Sequence, residues 1–189
     1  MIRKFCLLLV VFALCFSLSM ILNASADQGT SSEHRVKAAF LYNFAKFVRW
    51  PAESFGSPED PIILCILGVN PFGEALKTIE HKVVRGRPLL IRKIRETGKT
   101  GAEKIKDCHI LFISISETKN IPGILSAIRG RPIMTVSDME RFARHGGVIA
   151  LFRMKNNIRF EINLEAARQN NLKISSRLLK LARIFRSGD

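Results

Sequence analysis

Runs of uninterrupted apolar residues constrain the fold of this 189-residue chain more than any other feature. Residues 62–67 read Ile-Ile-Leu-Cys-Ile-Leu, and residues 109–115 and 132–136 are similarly apolar. A strand that is apolar at consecutive positions is buried on both faces, as in a parallel sheet covered by helices. A further strand is predicted over residues 83–94, where Arg85-Gly86-Arg87-Pro88 interrupts it near its start.

Helical segments are predicted between these strands. They run from Pro71 to about Glu80, from Asn120 to Ile128, and from Ser137 to a point before Gly146. Asn70, Asn120 and Ser137 can cap these helices, and the first two helices place a proline in the first turn. Strands that alternate with helices predict an α/β fold, a three-layer sandwich around a mainly parallel central sheet.

The pattern changes near the C-terminus. Residues 148–152 and 158–164 flank Lys155-Asn156-Asn157, which predicts an antiparallel hairpin at one edge of the sheet. The second strand alternates, with Ile158, Phe160, Ile162 and Leu164 on one face. A final helix is predicted, capped by Ser175 or Ser176, with an apolar side formed by Leu178, Leu179, Leu181, Ala182 and Phe185.

A first helix is predicted upstream of Pro51, which would end it. Its apolar stripe has spacings of three and four residues and consists of Val36, Phe40, Phe44, Phe47 and Val48. Lys37, Lys46 and Arg49 fall outside that stripe. We therefore expect a core-packing helix in which Phe40 and Phe44 are anchors.

The N-terminus has the pattern of a secretory signal peptide. Arg3 and Lys4 precede an apolar run over residues 5–22, and Ala24-Ser25-Ala26 offers a cleavage site. A transmembrane anchor is the alternative, because the run is nearly long enough to span a bilayer. We predict cleavage after Ala26, export to the periplasm without stable membrane insertion, and a single domain over residues 27–189.

Charge and export together restrict the partners. The predicted leader holds two of the 30 basic residues and none of the 16 acidic ones, so the mature chain has a formal net charge of +12. Export excludes nucleic acid, the usual partner of such a basic chain. The remaining acceptors are anionic lipid headgroups, acidic polysaccharide and acidic protein surfaces, and a solvated basic surface without a specific partner is the alternative.

Two cysteines remain after cleavage, Cys65 and Cys108. In an oxidising compartment they predict one disulfide, since each lies in or beside a strand and the strands are neighbours if the sheet follows a 2-1-3 order. Two buried free thiols are the alternative. The four histidines have no metal-ligand spacing, and the chain has neither a P-loop nor a G-x-S-x-G motif. We therefore predict no enzymatic activity, no metal and no cofactor.

Polar residues follow the predicted strands at the edge where α/β sheets bind ligands. Gly68 and Asn70 follow the first strand, Ser116 and Glu117 the third, and Ser137 and Asp138 the fourth. Asn70, Ser116 and Ser137 are therefore the candidate ligand-binding residues, and a helix beginning at Pro71 would offer free N–H groups to an anion. The alternative is that Asn70 and Ser137 only cap helices.

Several segments, in order, resemble one known family. They are residues 37–51 (Lys-Ala-Ala-Phe-Leu-Tyr-Asn-Phe-Ala-Lys-Phe-Val-Arg-Trp-Pro), 66–73, 85–88, 108–113, 158–168 and 172–182. From about Arg35 to Ile184 the chain resembles the YfiR-like periplasmic proteins. The resemblance implies a protein that binds the periplasmic sensor domain of an inner-membrane diguanylate cyclase and inhibits it. Inhibition would lower cyclic di-GMP and biofilm formation.

The resemblance also bears on details. Cys65 and Cys108 match one family disulfide, whereas a second bridge has no counterpart here, which puts redox control through that bridge in doubt. Arg85, Arg87, Arg153 and Arg159 are the candidate partner contacts, with solvated charges as the alternative.

A homodimer is a further possible assembly. The alternative function is that of a periplasmic small-ligand sensor in a transport or signalling system.

Overall fold

The computed structural model describes residues 32–95 and 103–186. The predicted signal peptide lies outside these residues and stays a prediction. The helices are α1 (32–47), α2 (103–105), α3 (Ile121–Ala127), α4 (Leu164–Gln169) and α5 (Ser176–Leu179), with 3₁₀ segments at Ala52–Ser54, Gly73–Thr78 and Ile115–Asn120. The strands are β1 (Val48–Arg49), β2 (Ile62–Leu67), β3 (Val83–Val84), β4 (Arg87–Ile94), β5 (Ile110–Ile113), β6 (Met134–Ser137), β7 (Ile149–Met154), β8 (Asn157–Asn163), β9 (Lys173–Ile174) and β10 (Arg183–Phe185).

One eight-stranded sheet organises the chain, in the order β10-β8-β7-β6-β5-β2-β4-β3. Strands β4, β2, β5, β6 and β7 run parallel to one another, so the predicted mainly parallel sheet is confirmed. The 2-1-3 order on which the disulfide prediction depended is the order observed. Strands β7 and β8 form the predicted antiparallel hairpin. The short β10 pairs in parallel with β8 and forms the edge outside it, and β1 and β9 form a separate antiparallel pair.

Both faces of the central strands are covered. Leu64 and Ile66 belong to a core cluster with α1 on one face, whereas Cys65 and Leu67 belong to a second cluster on the other face. The second cluster takes in residues of α2 and α3. Because successive side chains of a strand point to opposite faces, only a continuous apolar run satisfies both layers. The predicted sandwich architecture is confirmed.

Helix α1 is rotated relative to the predicted stripe. Its buried positions are Ala38, Leu41, Phe44, Ala45 and, just after the helix, Val48. Val36 is 44% exposed, so its assignment to the buried face was wrong. The helix also ends at residue 47 rather than at Pro51, because Val48 and Arg49 pair with β9. The predicted anchor Phe44 is fully buried, and Phe40 is half-buried against the same cluster.

Three predicted helices differ in the structure. The segment after Pro71 is a short 3₁₀ helix that begins at Gly73, where a positive φ of 51° interrupts an α-helical path. Residues 138–147 form turns rather than a helix, and Arg141 and Gly146 both have positive φ. The last helix is only α5, capped as predicted by Ser175, while Leu181 is 68% exposed and Phe185 lies in β10.

Candidate functional site

A cleft lies where the strand order reverses, between β2 and β5. The chain leaves β2 towards β4 on one side and returns to β5 on the other, which opens a crevice at their carboxyl ends. The cleft has a volume of about 540 Å³ and is lined by Gly68, Val69, Asn70, Lys93, Arg95, Ser116 and Glu117. We call it the switch-point cleft.

The backbone at Gly68 shapes this cleft. Gly68 has a φ of +87°, and a Cβ atom there would lie 2.3 Å from the Ser116 Oγ and 2.9 Å from the Glu117 Oε1. The Ser116 hydroxyl accepts a hydrogen bond from the Val69 N–H at 3.0 Å. A side chain at position 68 would therefore displace both polar groups, so the position requires glycine.

Glu117 is the most deeply buried charged group of the cleft, with 7% of its surface exposed. Its carboxylate accepts hydrogen bonds from the Asn120 Nδ2 at 2.9 Å and the Ser116 Oγ at 3.4 Å. Both donors are neutral, and within residues 32–95 and 103–186 no cation lies at ion-pair distance from Glu117. Lys93 and Arg95 line the same cleft. A ligand with a cationic group towards Glu117 and an anionic group towards Lys93 and Arg95 would suit this arrangement.

The three predicted ligand-binding residues do not lie together. Asn70 and Ser116 line the switch-point cleft, although Asn70 also accepts from the Phe72 N–H at 3.0 Å. Ser137 is fully buried, donates to the Ile113 carbonyl and accepts from the Met139 N–H. Ser137 therefore fastens a turn to the sheet and does not face the cleft.

Two lining residues escaped the sequence analysis. Lys93 lies near the carboxyl end of β4 and Arg95 directly after it, so the rule that selected Asn70 and Ser116 applies to them too. The predicted anion site at Pro71 is not formed as expected, since the following helix is short and of 3₁₀ type.

The four candidate partner-binding arginines separate into two pairs near opposite edges of the sheet. Arg85 and Arg87 belong to the β3–β4 hairpin, and Arg153 and Arg159 belong to the β7–β8 hairpin. Arg87 is half-buried: its guanidinium donates to two loop carbonyls, Ser57 and Asp60, and stacks 3.8 Å from the Phe55 ring. Arg87 therefore holds a loop, whereas exposed Arg159 forms no ion pair within the described ranges.

Arg153 belongs to a charge network that fastens α1 to the sheet. Its guanidinium lies 3.3 Å from Glu33, which pairs with Lys37 at 2.8 Å, and Lys37 pairs with Asp138 at 2.7 Å. Burial opposes the charge of Lys37, but the hydrogen bonds and charges of Asp138 and Glu33 outweigh it and raise the pKa of Lys37. The hydrogen bond from Lys37 lowers the pKa of Glu33. Lys37, which was predicted to lie outside the apolar stripe, is therefore buried with its charge neutralised.

A buried histidine closes the opposite end of the sheet. His109 Nε2 lies 3.1 Å from the Ser54 carbonyl oxygen, and Nδ1 accepts from the Ile63 N–H at 3.1 Å. A carbonyl oxygen only accepts, so the neutral ring carries its proton on Nε2. The ring stacks on Phe55, and burial lowers the pKa of His109. Nearby Arg87 lowers that pKa further.

This geometry predicts a loss of stability in mild acid. A lowered folded-state pKa favours neutral His109, so its contribution is complete above the unfolded value of about 6.5 and falls as the pH drops towards the folded pKa. His109→Asn keeps an acceptor near the Nδ1 position but cannot titrate. Urea unfolding between pH 7.5 and pH 5.5 should therefore show a steeper loss for wild type than for the variant. Equal pH dependence in the two proteins would contradict this role of His109.

Comparison with known proteins decides the family. The family model described as YfiR/HmsC-like matches residues 34–183. The chain belongs to the YfiR/HmsC-like family. The family is known in the regulation of cyclic di-GMP signalling, is periplasmic, and is regulatory rather than catalytic. The predicted family resemblance is therefore confirmed.

Solved structures include a similar chain, a conserved domain protein from Vibrio cholerae O1 biovar El Tor strain N16961. It is 12% identical with a TM-score of 0.48, and the match covers 66% of this chain and 55% of that one. The present chain thus spans little more than half the length of that protein.

The described part of the chain also bears on membrane insertion, metal binding and the disulfide. Across residues 32–95 and 103–186, no helix combines the length and apolar character needed to cross a membrane. Within the same part of the chain, no three His, Cys, Asp or Glu side chains are grouped to hold a metal ion. Cys65 and Cys108 form a disulfide with a Cα–Cα distance of 5.8 Å, which confirms the predicted pairing.

Proposed function

We propose that the mature protein binds the periplasmic sensor domain of an inner-membrane diguanylate cyclase and holds the enzyme inactive. The family match over residues 34–183 carries the proposal, because this family regulates cyclic di-GMP signalling. The mature charge of +12 supports it, since complementary charge speeds encounter with an acidic partner and disfavours wrong ones. Bound in this way, the protein would lower cyclic di-GMP and restrain biofilm formation.

Gene deletion tests this function. Deleting the gene should raise cyclic di-GMP and surface attachment, and expression of the full chain should reverse both. Expression of residues 27–189 without the leader should not, because the product would remain on the cytoplasmic side of the membrane. As a control, the deletion should have no effect in a strain that also lacks the cyclase. Unchanged cyclic di-GMP in a strain that expresses the cyclase would contradict the proposal.

A second candidate function is small-ligand sensing, supported by buried Glu117 facing Lys93 and Arg95 in the switch-point cleft. Free L-glutamate and L-arginine are suitable probes, since each carries both ammonium and carboxylate groups. A rise in melting temperature that Glu117→Gln abolishes, in a protein that does not bind the cyclase, would favour this second function. Binding of the cyclase domain without any response to the probes would favour the first.

A further inference from the structure

Part of the sheet near β10 is uncovered. Along β7, Ala150, Phe152 and Met154 point to the same face. Ala150 is buried in the second core cluster, Phe152 is half-buried, and Met154 is 50% exposed. The covering segment, residues 138–147, is fastened at Asn163, whose Nδ2 donates to the Ala143 carbonyl at 2.9 Å. The cover therefore ends part-way along the hairpin and leaves its outer half open.

A groove of about 580 Å³ lies along the boundary between the covering segment and this open face. Its lining includes Arg141 and Arg144 from the segment, Phe152 from β7 and Arg183 from β10. Arg159 of β8 lies directly opposite Phe152 in the strand register. We call the surface formed by these five residues and the adjoining Met154 of β7 the arginine groove.

The three carboxylates that line the cavity along the arginine groove already have cationic partners. Asp138 pairs with Lys37 at 2.7 Å, and Glu161 pairs with Arg183 at 2.8 Å. Glu140 pairs with its neighbour Arg141 at 3.8 Å. No carboxylate that lines the cavity is therefore free to neutralise another arginine of the groove.

Two arginines of the groove remain without a counter-charge. Arg144 and Arg159 are exposed, and neither forms an ion pair within the described ranges. The local charge that is left for a partner is positive. An acidic partner would complete these two pairs, whereas a second copy of this chain docked through the same face would place arginine against arginine.

The groove also offers ordered apolar surface. The Arg183 guanidinium lies 4.4 Å from the centre of the Phe152 ring and is held in place by Glu161. Beside this stacked pair, Met154 exposes half of its surface. Aromatic residues, methionine and arginine are the types enriched at the centres of protein interfaces, while an acidic polysaccharide would use the arginines alone.

We propose that the arginine groove is the surface on which an acidic, apolar-containing segment of a partner protein docks. The identity of that partner as a diguanylate cyclase rests on the proposed function; the acidic character of the docking segment does not. Arg144 and Arg159 supply the charge recognition, and Phe152 and Met154 receive an apolar side chain. This places the contact on the β7–β8 side of the sheet and not at the β3–β4 hairpin.

A matched pair of charge reversals tests the groove. Arg144→Glu/Arg159→Glu changes the groove, and Arg129→Glu/Arg177→Glu makes the same change in net charge at exposed positions elsewhere. Binding to the cyclase periplasmic domain and to a synthetic peptide of glutamate and phenylalanine is measured by calorimetry. The groove variant should lose about 100-fold in affinity for both, and the control should lose less than about threefold. Unchanged melting temperatures establish that both variants fold.

An apolar variant separates a protein partner from a polysaccharide. Phe152→Ala/Met154→Ala should weaken peptide binding at least about tenfold and leave any binding of polyuronate unchanged. Binding of polyuronate without binding of the peptide would overturn the proposal in favour of a polysaccharide surface.

The two proposals fail in distinguishable ways. If wild type binds the cyclase domain and both charge variants bind it equally well, the groove assignment is wrong and the proposed function stands. If wild type does not bind the cyclase domain, the proposed function fails. Peptide affinity then tests the groove by itself. Peptide affinity lost only in Arg144→Glu/Arg159→Glu supports the groove; absent binding, or equal binding by both variants, overturns it.

Discussion

Replacing Phe44 by alanine is expected to lower the free energy of unfolding by about 3–5 kcal/mol. The Phe44 side chain is fully buried between α1 and the sheet. Its ring centre lies 5.7 Å from that of Phe40 and 5.1 Å from that of Phe160 in β8. Truncation therefore removes apolar burial and aromatic contacts together and leaves a cavity. Urea denaturation of the mature protein measures the loss.

Val36→Ala is the matched control, because Val36 belongs to the same helix but is 44% exposed. Its effect should stay within about 0.5 kcal/mol. Both variants should keep their affinity for a partner that docks on the arginine groove, provided that binding is measured where the protein is folded. A Phe44→Ala protein that unfolds like wild type but loses its partner would instead show that α1 is an exposed docking surface.

The sheet could be predicted because a strand that is buried on both faces needs apolar residues at consecutive positions, and that pattern is visible in the sequence. Cys65 and Leu67 serve one core and Leu64 and Ile66 the other, so the run 62–67 admits little besides a central strand. The hairpin could also be predicted, since the alternation in β8 and the polar turn at Lys155 are local signals. The lengths of the helices could not be predicted, because short segments such as residues 138–147 depend on tertiary contacts for their conformation.

The rotation of α1 could not be predicted for a related reason. Val36 and Lys37 are adjacent, and periodicity alone favours burial of the apolar one. In the structure Lys37 is buried because Glu33, one turn earlier, and Asp138, a distant residue in sequence, neutralise its charge. A partner about one hundred residues away cannot be recognised from the sequence around Lys37. The role of His109 was hidden in the same way, since Ser54, Phe55 and Ile63 meet it only in the fold.

The candidate site was predicted in part. Position after a strand identified Asn70 and Ser116, which do line the switch-point cleft, but the same rule also selected buried Ser137. Position tells which end of the sheet a residue occupies and not whether its side chain faces solvent. The arginine groove gave a weaker signal still. Its charge is distinctive only because neighbouring carboxylates are already paired, which depends on three-dimensional proximity.

Reduction of the Cys65–Cys108 disulfide is expected to lower the free energy of unfolding by about 4 kcal/mol on the chain-entropy model. The bond joins residues 43 positions apart and therefore closes a long loop in the unfolded chain. It also links the centre of β2 to a position two residues before the neighbouring strand β5 begins. Both cysteines are buried, so the bond should resist reductant in the native protein and break readily once the chain unfolds.

Denaturant unfolding with and without a reducing agent measures this contribution. The unfolding midpoint of wild type should fall in the reductant, whereas that of Cys65→Ala/Cys108→Ala should be the same in both conditions. The variant removes two buried sulfur atoms and is less stable than oxidised wild type, so the comparison that matters is the response of each protein to the reductant. Because Cys108 lies beside His109 at the amino end of β5, reduction should loosen that end of the sheet before the β7–β8 hairpin. Two thiols that react with an alkylating agent in unfolded, unreduced mature protein would show that the bond does not form.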